Sequence, residues 1–563
     1  MGYLLHALRR LTRAIRNLIR STRTPPDYVA FTLDGSFPEL PPPPGPWWQR
    51  WMGTSETSLR DLAPQFETVA ADPRVRGVVL RLRTLSMTTA RLQTLRGLIR
   101  KLHDADKHVV AWATAYDQAT YDVASMADEV LIQPGGAIQP LGLTQSFVFL
   151  KDALERLGIE ADFLQISPYK SGADSLTRAE MSPEMREMMD WLLDDLHDDQ
   201  LQAIAEGRGM ELDRVRSLVD GSPYTDEAAL EAGLIDGIVN EDALPDRLSN
   251  DPSASLSNWP SARTRLRLPS PPQPGRHVAL LRIEGDIVDG PSRRAPRRSP
   301  VPVPMLTNAR AGDLSVVEQI RKLEKDRRAG AVVVWIDSGG GSATASEAMA
   351  SALERLAASK PVVVAMSSLA ASGGYYVATP GQWVVAQPGT LTGSIGVLYG
   401  KIVNIRMLDK LQINRETLRR GERADVYDSA RPFTDAERET IWTLMARTYD
   451  VFLERVAASR AMARDEVDAI GGGRVWTGRQ ADEKGLVDEL GGLEEAIAKA
   501  RELAGLRANT GVREMPMPTS PTPGAPSAQP SGLIDYALDN LATLQQARTY
   551  CLVPFHPEPF GND

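Results

Sequence analysis

Ala331-Val332-Val333-Val334-Trp335-Ile336-Asp337-Ser338-Gly339-Gly340-Gly341-Ser342 is an apolar, largely β-branched run that breaks into a glycine-rich loop, and a helical pattern follows over Ser346 to Ala358. A short continuous apolar run bounded by turn residues reads as a buried strand, and a helix close behind it reads as a crossover connection. The same alternation continues with strand-like Val362 to Ala365 and Trp383 to Ala386. Strands that alternate with helices specify an α/β fold with a parallel sheet, because parallel neighbours need a crossover between them.

The pattern is written twice. Laid over the stretch that begins at Gly77 with a shift of 254 residues, it holds register without a gap for about 80 residues. Val78-Val79-Leu80 falls on Val332-Val333-Val334, Tyr121-Asp122-Val123-Ala124 on Tyr375-Tyr376-Val377-Ala378, and Gln133-Pro134-Gly135 on Gln387-Pro388-Gly389. Later, with a small slip, Ala232-Gly233-Leu234-Ile235-Asp236 meets Lys484-Gly485-Leu486-Val487-Asp488. The expected organisation is a helix over 1–26, a first repeat over 27–249, a linker rich in Pro and Ser over 250–276, a second repeat over 277–510, and a Pro-rich linker with a last helix over 511–563. A longer helix is expected in each repeat, near Pro183 to Glu206 and Thr434 to Ser459.

The 563 residues are 42% hydrophobic and 24% charged, ordinary globular material for more than one domain. A formal net charge of −9 argues against nucleic acid as a partner. One cysteine, Cys551, excludes an intrachain disulfide and a cysteine-based structural metal site. The basic exception is Met1 to Thr24, where Leu4, Leu5, Leu8, Leu11, Ile15, Leu18 and Ile19 fall at helical spacing and arginines mostly fill the other face. No apolar run approaches the roughly 20 residues that cross a bilayer, and no cleavable secretory signal is recognisable. The helix fits the headgroup region of an anionic membrane, or a surface on a partner subunit. Trp47, Trp48 and Trp51 fit interfacial anchoring or packing on the domain.

The two repeats have diverged where chemistry would reside. The positions that match Ser338 to Gly341 are Thr84, Leu85, Ser86 and Met87, so the glycine loop, whose N–H groups suit an oxyanion, exists only in the second repeat. The strand at Val362 runs into Ala370-Ala371-Ser372-Gly373-Gly374-Tyr375-Tyr376, a small-residue turn that would leave Ser372 lightly covered, with the Gly373 N–H as a second donor. Its partner in the first repeat is Gln118. Such turns also serve as plain structural devices. A serine nucleophile needs a base, and the six histidines form no constellation that offers one. A buried lysine can replace them, since desolvation favours the neutral amine. Lys170, in Pro168-Tyr169-Lys170-Ser171-Gly172, has no lysine counterpart in the second repeat; taken alone, the motif reads as a solvated surface loop.

Together, Gly285-Asp286-Ile287-Val288-Asp289-Gly290, the Ser338 to Ser346 loop, Ala371 to Tyr376 and Thr392-Gly393-Ser394-Ile395-Gly396 resemble the long, duplicated form of signal peptide peptidase A. The likeness covers most of Val29 to Leu503. It implies tandem ClpP/crotonase-like α/β repeats, with the nucleophile Ser372 in the second and the general base Lys170 in the Tyr-Lys-Ser motif of the first. It also implies Gly341 and Gly373 as oxyanion donors, Gly340 taking over if the loop is shifted by one, and the Ser394 hydroxyl as orienter of the amine.

The activity so implied is that of a membrane-associated serine endopeptidase, at the cytoplasmic membrane, for apolar peptides such as released signal peptides or unfolded segments. The protein would be a homo-oligomer, a tetramer enclosing its sites, with no metal and no organic cofactor. The sequence departs from the family pattern in two places: Ser338-Gly339-Gly340-Gly341 stands for the usual Ser-Pro-Gly-Gly, and the amphipathic helix stands for a spanning one. A crotonase-type acyl-CoA enzyme would share the fold and oxyanion loop but need a carboxylate there. A non-catalytic membrane scaffold would keep the dyad as a vestige. The last helix, with Cys551-Leu552-Val553-Pro554-Phe555 behind it, fits a regulator docked in the enzyme's own groove or simple packing on a neighbour.

Overall fold

The computed structural model describes residues 2–42, 57–249, 254–269, 271, 273–293, 309–516 and 550–551. The tryptophan cluster at 47–51 and the C-terminal helix expected near 533–544 lie outside the described residues. The chain forms two compact units, one from Met1–Gln145 with Leu193–Gly275, the other from Ser146–Leu192 with Arg276–Pro557.

The first unit is built on a six-stranded sheet in the order Gly237–Ile238, Glu129–Ile132, His108–Ala113, Gly77–Leu85, Tyr28–Gly35, Leu256–Asn258, with every pairing parallel. Side chains alternate between its faces, as a strand's period of two requires. Val29, Phe31, Val78, Leu80, Val109, Ala111 and Val130 pack in one layer, and Ala30, Val79, Val110, Trp112 and Leu131 in the opposite one. Burial on both faces is why these strands are apolar almost throughout. Within 250–276, read from sequence as a linker, Leu256–Asn258 pairs with Tyr28–Ala30 and Trp259–Ala262 is a helical turn whose indole stacks on Phe31.

The basic helix Gly2–Ser21 rests on the stretch that follows. Arg13 and Arg20 donate to the carbonyls of Pro269 and Leu266, at 2.6 and 2.8 Å, and Asn17 makes a reciprocal pair of bonds with the backbone of Leu268. At about 100° per residue, positions 13, 17 and 20 share one arc, and Leu8, Leu11, Ile15, Leu18 and Ile19 fall on the arc opposite. Those five are between 49% (Ile15) and 70% (Leu18) exposed. Among the described residues no helix is long and apolar enough to cross a membrane.

The second unit repeats the plan. Glu489–Leu490, Trp383–Ala386, Val362–Ala371, Ala329–Ser338 and Gln273–Glu284 follow one another in parallel, the same order as Gly237, Glu129, His108, Gly77 and Tyr28 in the first sheet. The next pairings are repeated as well: in the first unit Tyr116 bridges Ile138 in parallel, and Ala137–Ile138 pairs antiparallel with Tyr224–Thr225. Val362–Ala371 continues past its pairing with Trp383–Ala386 to pair with Leu391–Gly393, which in turn pairs antiparallel with Val475–Thr477. A further sheet runs Arg310–Gly312, Asp286–Val288, Gly341–Ser342, Tyr550–Cys551, Leu398–Val403, Glu160–Gln165. Its last pairing is antiparallel over six residue pairs, from Leu398↔Gln165 to Val403↔Glu160. The segment Ser146–Leu192, which belongs to the first repeat by sequence, is thereby part of the second unit's own fold. The long helices span Pro183–Arg208 and Asp435–Arg460; the second opens on a capping box between Thr434 and Glu437.

Candidate active site

Val362–Ala371 and the helix Gly373–Ala378 meet at Ser372, whose φ of 55° and ψ of −116° lie outside the regions an L-residue ordinarily adopts. Two backbone bonds of 2.8 Å hold this turn, from Ser372 N–H to Gly393 O and from Tyr376 N–H to Ser372 O. The equivalent position in the first repeat shows what an unstrained version looks like. There the matching residue, Gln118, begins the helix Gln118–Ala124, which Asp117, at φ −95°, caps by an ordinary box with Thr120. Only the second repeat bends its chain to aim a side chain out of the turn.

The glycine loop lies against that turn. Ser338 donates to Gly285 O at 2.6 Å and accepts from Gly340 N–H at 3.1 Å, which pins the loop's start. Gly341 adopts φ 150° and pairs with Ile287. Gly373 has room for hydrogen alone: a Cβ there would sit 3.1 Å from Gly340 Cα and 3.2 Å from Gly341 N. The backbones of Gly341 and Gly373 are therefore neighbours beside the serine. Gly373 opens its helix, so its N–H has no acceptor within that helix.

Lys170 follows the strand Glu160–Gln165 through a turn closed by its own N–H on Ser167 O, at 3.0 Å. Its amine is fully buried and lies 2.7 Å from Ser372 Oγ, 2.8 Å from Ser394 O and 2.9 Å from Ser394 Oγ. A neutral amine that donates both its hydrogens to Ser394 has its lone pair left for the Ser372 hydroxyl. Burial favours that neutral form. Ser394 is itself at φ 50°, and its N–H donates to Arg474 O at 2.6 Å. Ser372, Lys170 and Ser394, separated by up to 224 positions in sequence, thus converge within one unit.

Two features differ from the sequence reading. Ser372 is completely buried rather than lightly covered, because the flanking strands and the glycine loop close over the turn. The reading also passed over Gly471-Gly472-Gly473. Gly473, at φ 88°, presses on the lysine so closely that a Cβ would stand 2.5 to 2.6 Å from Lys170 Cα, Cβ and N. The signal was present as a run of three glycines before an apolar strand, but nothing local says what a glycine must make room for.

An apolar cluster adjoins Ser372. Leu369 and Ala371 of its strand pack with Leu391, Val475 and Met185, Met188, Met189 and Leu192 of the long helix, with Phe147, Tyr169 and Trp191 at the margin. On the other side, Tyr550–Cys551 lies between the glycine loop and Leu398–Val403. It pairs antiparallel with both, Cys551 opposite Gly341 and Tyr550 opposite Ser342 and Leu398.

The model of Peptidase family S49 matches this chain twice, over residues 101–254 and 354–507. The chain is 31% identical to the protein named Serine protease SPPA, chloroplastic, from Arabidopsis thaliana, over 85% of this chain and 71% of that one. It is 29% identical to Protease 4 of Haemophilus influenzae, over 81% and 75%, and 28% identical to Protease 4 of Salmonella typhi, over 80% and 73%. Among solved structures, a point mutant of ClpP1 from Listeria monocytogenes aligns with 39% of this chain and 94% of its own, at 13% identity and a TM-score of 0.24. The two family matches fall on the two repeats that sequence and sheet order both reveal, and the chain belongs to peptidase family S49.

Proposed function

We propose that this peptidase is a serine endopeptidase in which Ser372 is the nucleophile and Lys170 the general base. The observation that carries the reading is the 2.7 Å contact between Lys170 Nζ and Ser372 Oγ, with both groups buried. Neutral Lys170 takes the serine proton as Oγ attacks the peptide carbonyl carbon. The N–H groups of Gly341 and Gly373 receive the oxyanion, each such donor being worth about 10²–10³ in rate. The lysine ammonium then returns the proton to the departing amine, leaving an acyl-enzyme. Water enters and gives a proton to Lys170 as its oxygen attacks the acyl carbon; the acyl–Oγ bond then breaks, the ammonium returns the proton to Ser372 Oγ, and the second product leaves as the acid. Ser394 holds the amine on line through both of its oxygens.

The substrates in this reading are apolar peptides bound as extended strands. Support comes from the apolar cluster beside Ser372 and from the slot between Gly341–Ser342 and Leu398–Val403, where the chain's own Tyr550–Cys551 makes a strand pairing of the kind a peptide would make. Released signal peptides and unfolded segments have that character. The proposed place of action is an anionic membrane surface. The helix Gly2–Ser21 supports it, since its polar arc is occupied by hydrogen bonds to 266–269 and its apolar arc faces outward. A homo-oligomer, a tetramer by family resemblance, is part of the same proposal. Exposed Val148, Leu157, Leu411 and Leu418 of the second unit offer apolar surface for another copy.

Mass spectrometry after treatment with a fluorophosphonate tests the dyad. A single adduct on Ser372 is expected in the wild type and none in Lys170→Ala, with both proteins folded by circular dichroism. An adduct elsewhere, or undiminished labelling in Lys170→Ala, would remove the mechanism.

A further inference from the structure

We propose that Tyr449 and Asp468 are positioning residues for the general base, acting through the Gly471-Gly472-Gly473 loop that walls in Lys170. The inference rests on the assignment of Lys170 as base.

The loop touches the base and its acceptors at once. Gly473 packs on the backbone of Lys170, leaving no room for even a methyl group, and Gly396 faces Lys170 Cδ from the next turn, where a Cβ would stand 3.3 Å away. Gly473 N–H donates to Ile395 O at 2.7 Å and Arg474 O accepts from Ser394 N–H at 2.6 Å. These two bonds bracket Ser394–Ile395, the turn whose oxygens hold the lysine amine. The geometry of proton transfer therefore depends on where 471–474 sits. Three consecutive glycines are poor at holding any position by themselves, because each loses more backbone freedom on ordering than any other residue.

What fixes the loop comes from outside it. Gly472 N–H donates to Tyr449 Oη at 3.0 Å in a buried setting, and Tyr449 O–H in turn donates to Asp468 Oδ1. Tyr449 belongs to the long helix Asp435–Arg460, and Asp468 to the helix Arg464–Ile470 that leads directly into the glycines. Gly471 N–H donates to Asp468 O, and Arg474, which closes the loop on Gly471 O, lays its guanidinium 4.0 Å over the Tyr169 ring next to the lysine. The phenol oxygen thus receives the N–H of the middle glycine and ties the loop to two helices that carry neither Ser372, Lys170 nor Ser394.

The test is Tyr449→Phe, which keeps the ring and deletes the oxygen, with active sites counted by fluorophosphonate titration. Per active site, kcat on an apolar peptide should fall about tenfold, within the range expected for a small displacement of a reacting group. KM should stay within about twofold and the rate of Ser372 labelling should fall in parallel. Asp468→Asn, which keeps an acceptor for the phenol, should retain most of the rate, and Asp468→Ala should match Tyr449→Phe. Unchanged kcat per titrated site would overturn the proposal, whether or not thermal stability fell, because it would leave Tyr449 a purely structural residue. Equal losses in Asp468→Asn and Asp468→Ala would overturn the relay through Asp468. Undiminished labelling of Lys170→Ala in the same assay would instead show that the lysine is not the base.

Discussion

Ser372 Oγ, Ser394 O and Ser394 Oγ all lie within 2.9 Å of the Lys170 amine, and they are not equivalent. Ser394 O is a backbone acceptor that no substitution at that position removes, whereas Ser394 Oγ is a side-chain atom that orients the second N–H. Ser394→Ala should therefore leave the dyad assembled but less well aimed. The loss of one hydrogen bond worth about 1 kcal/mol corresponds to a fall in kcat of about five- to tenfold, with little change in KM. Steady-state kinetics on an apolar peptide would check it; a fall beyond a thousandfold would mean that Ser394 does more than orient. The strained φ of Ser372 belongs to the same scale. It is tolerated because a bond to Gly393 of the neighbouring strand and one from Tyr376 of the following helix fix the backbone, whereas the counterpart turn at Gln118 opens on an ordinary helix cap.

At the level of elements, the stretch 264–269 bears on how the basic helix is carried. Asp72, whose carboxylate is fully buried, accepts from the Arg74 guanidinium at 2.7 Å and from Arg267 N–H at 2.9 Å. Burial pushes this carboxyl up, but the bonds from Arg74 and from the backbone of Arg267 and Arg74 outweigh it and hold the group at about 2. A folded pKa below the unfolded value of about 3.9 means stability that is present above pH 4 and lost as pH falls toward 2. Asp72→Asn should accordingly lower the local stability by about 2 kcal/mol at pH 7 and by progressively less below pH 4. Amide exchange at Arg267 reads the effect at its source; faster exchange of equal size at pH 7 and pH 2.5 would contradict the ionic origin. Neighbouring Leu266, Leu268 and Pro269 hold the helix Gly2–Ser21, so the same substitution loosens its support.

For the whole molecule, one prediction concerns where it works. Leu11 and Leu18 lie on the outward arc of the basic helix, so Leu11→Glu with Leu18→Glu should weaken binding to vesicles of anionic phospholipid by more than about tenfold. Turnover of a soluble peptide should not change, since neither residue is in the unit that holds Ser372. Co-sedimentation at two salt concentrations would measure it, and unaltered binding of the double variant would mean that the apolar arc is not the membrane contact.

The sequence alone determined the repeat, the α/β class and the loss of the glycine loop and serine from the first copy, because these reside in periodicity and local composition. Strands buried on both faces must be apolar, and a turn that brings backbones together must be glycine or another small residue, so Val332 to Gly341 and Ala370 to Gly374 could be read without a partner. The Tyr-Lys-Ser segment was legible only as a lysine without a counterpart, and a family resemblance gave it a role. Tertiary structure decided that this segment leaves its own repeat: six antiparallel residue pairs between Glu160–Gln165 and Leu398–Val403 build it into the unit that contains Ser372. It also decided the burial of Ser372 and Lys170 and the closeness of Gly473 to Lys170, more than 300 positions away. Pairing partners across such distances are chosen by the free energy of the assembled sheet and core, and no local pattern in the chain encodes them.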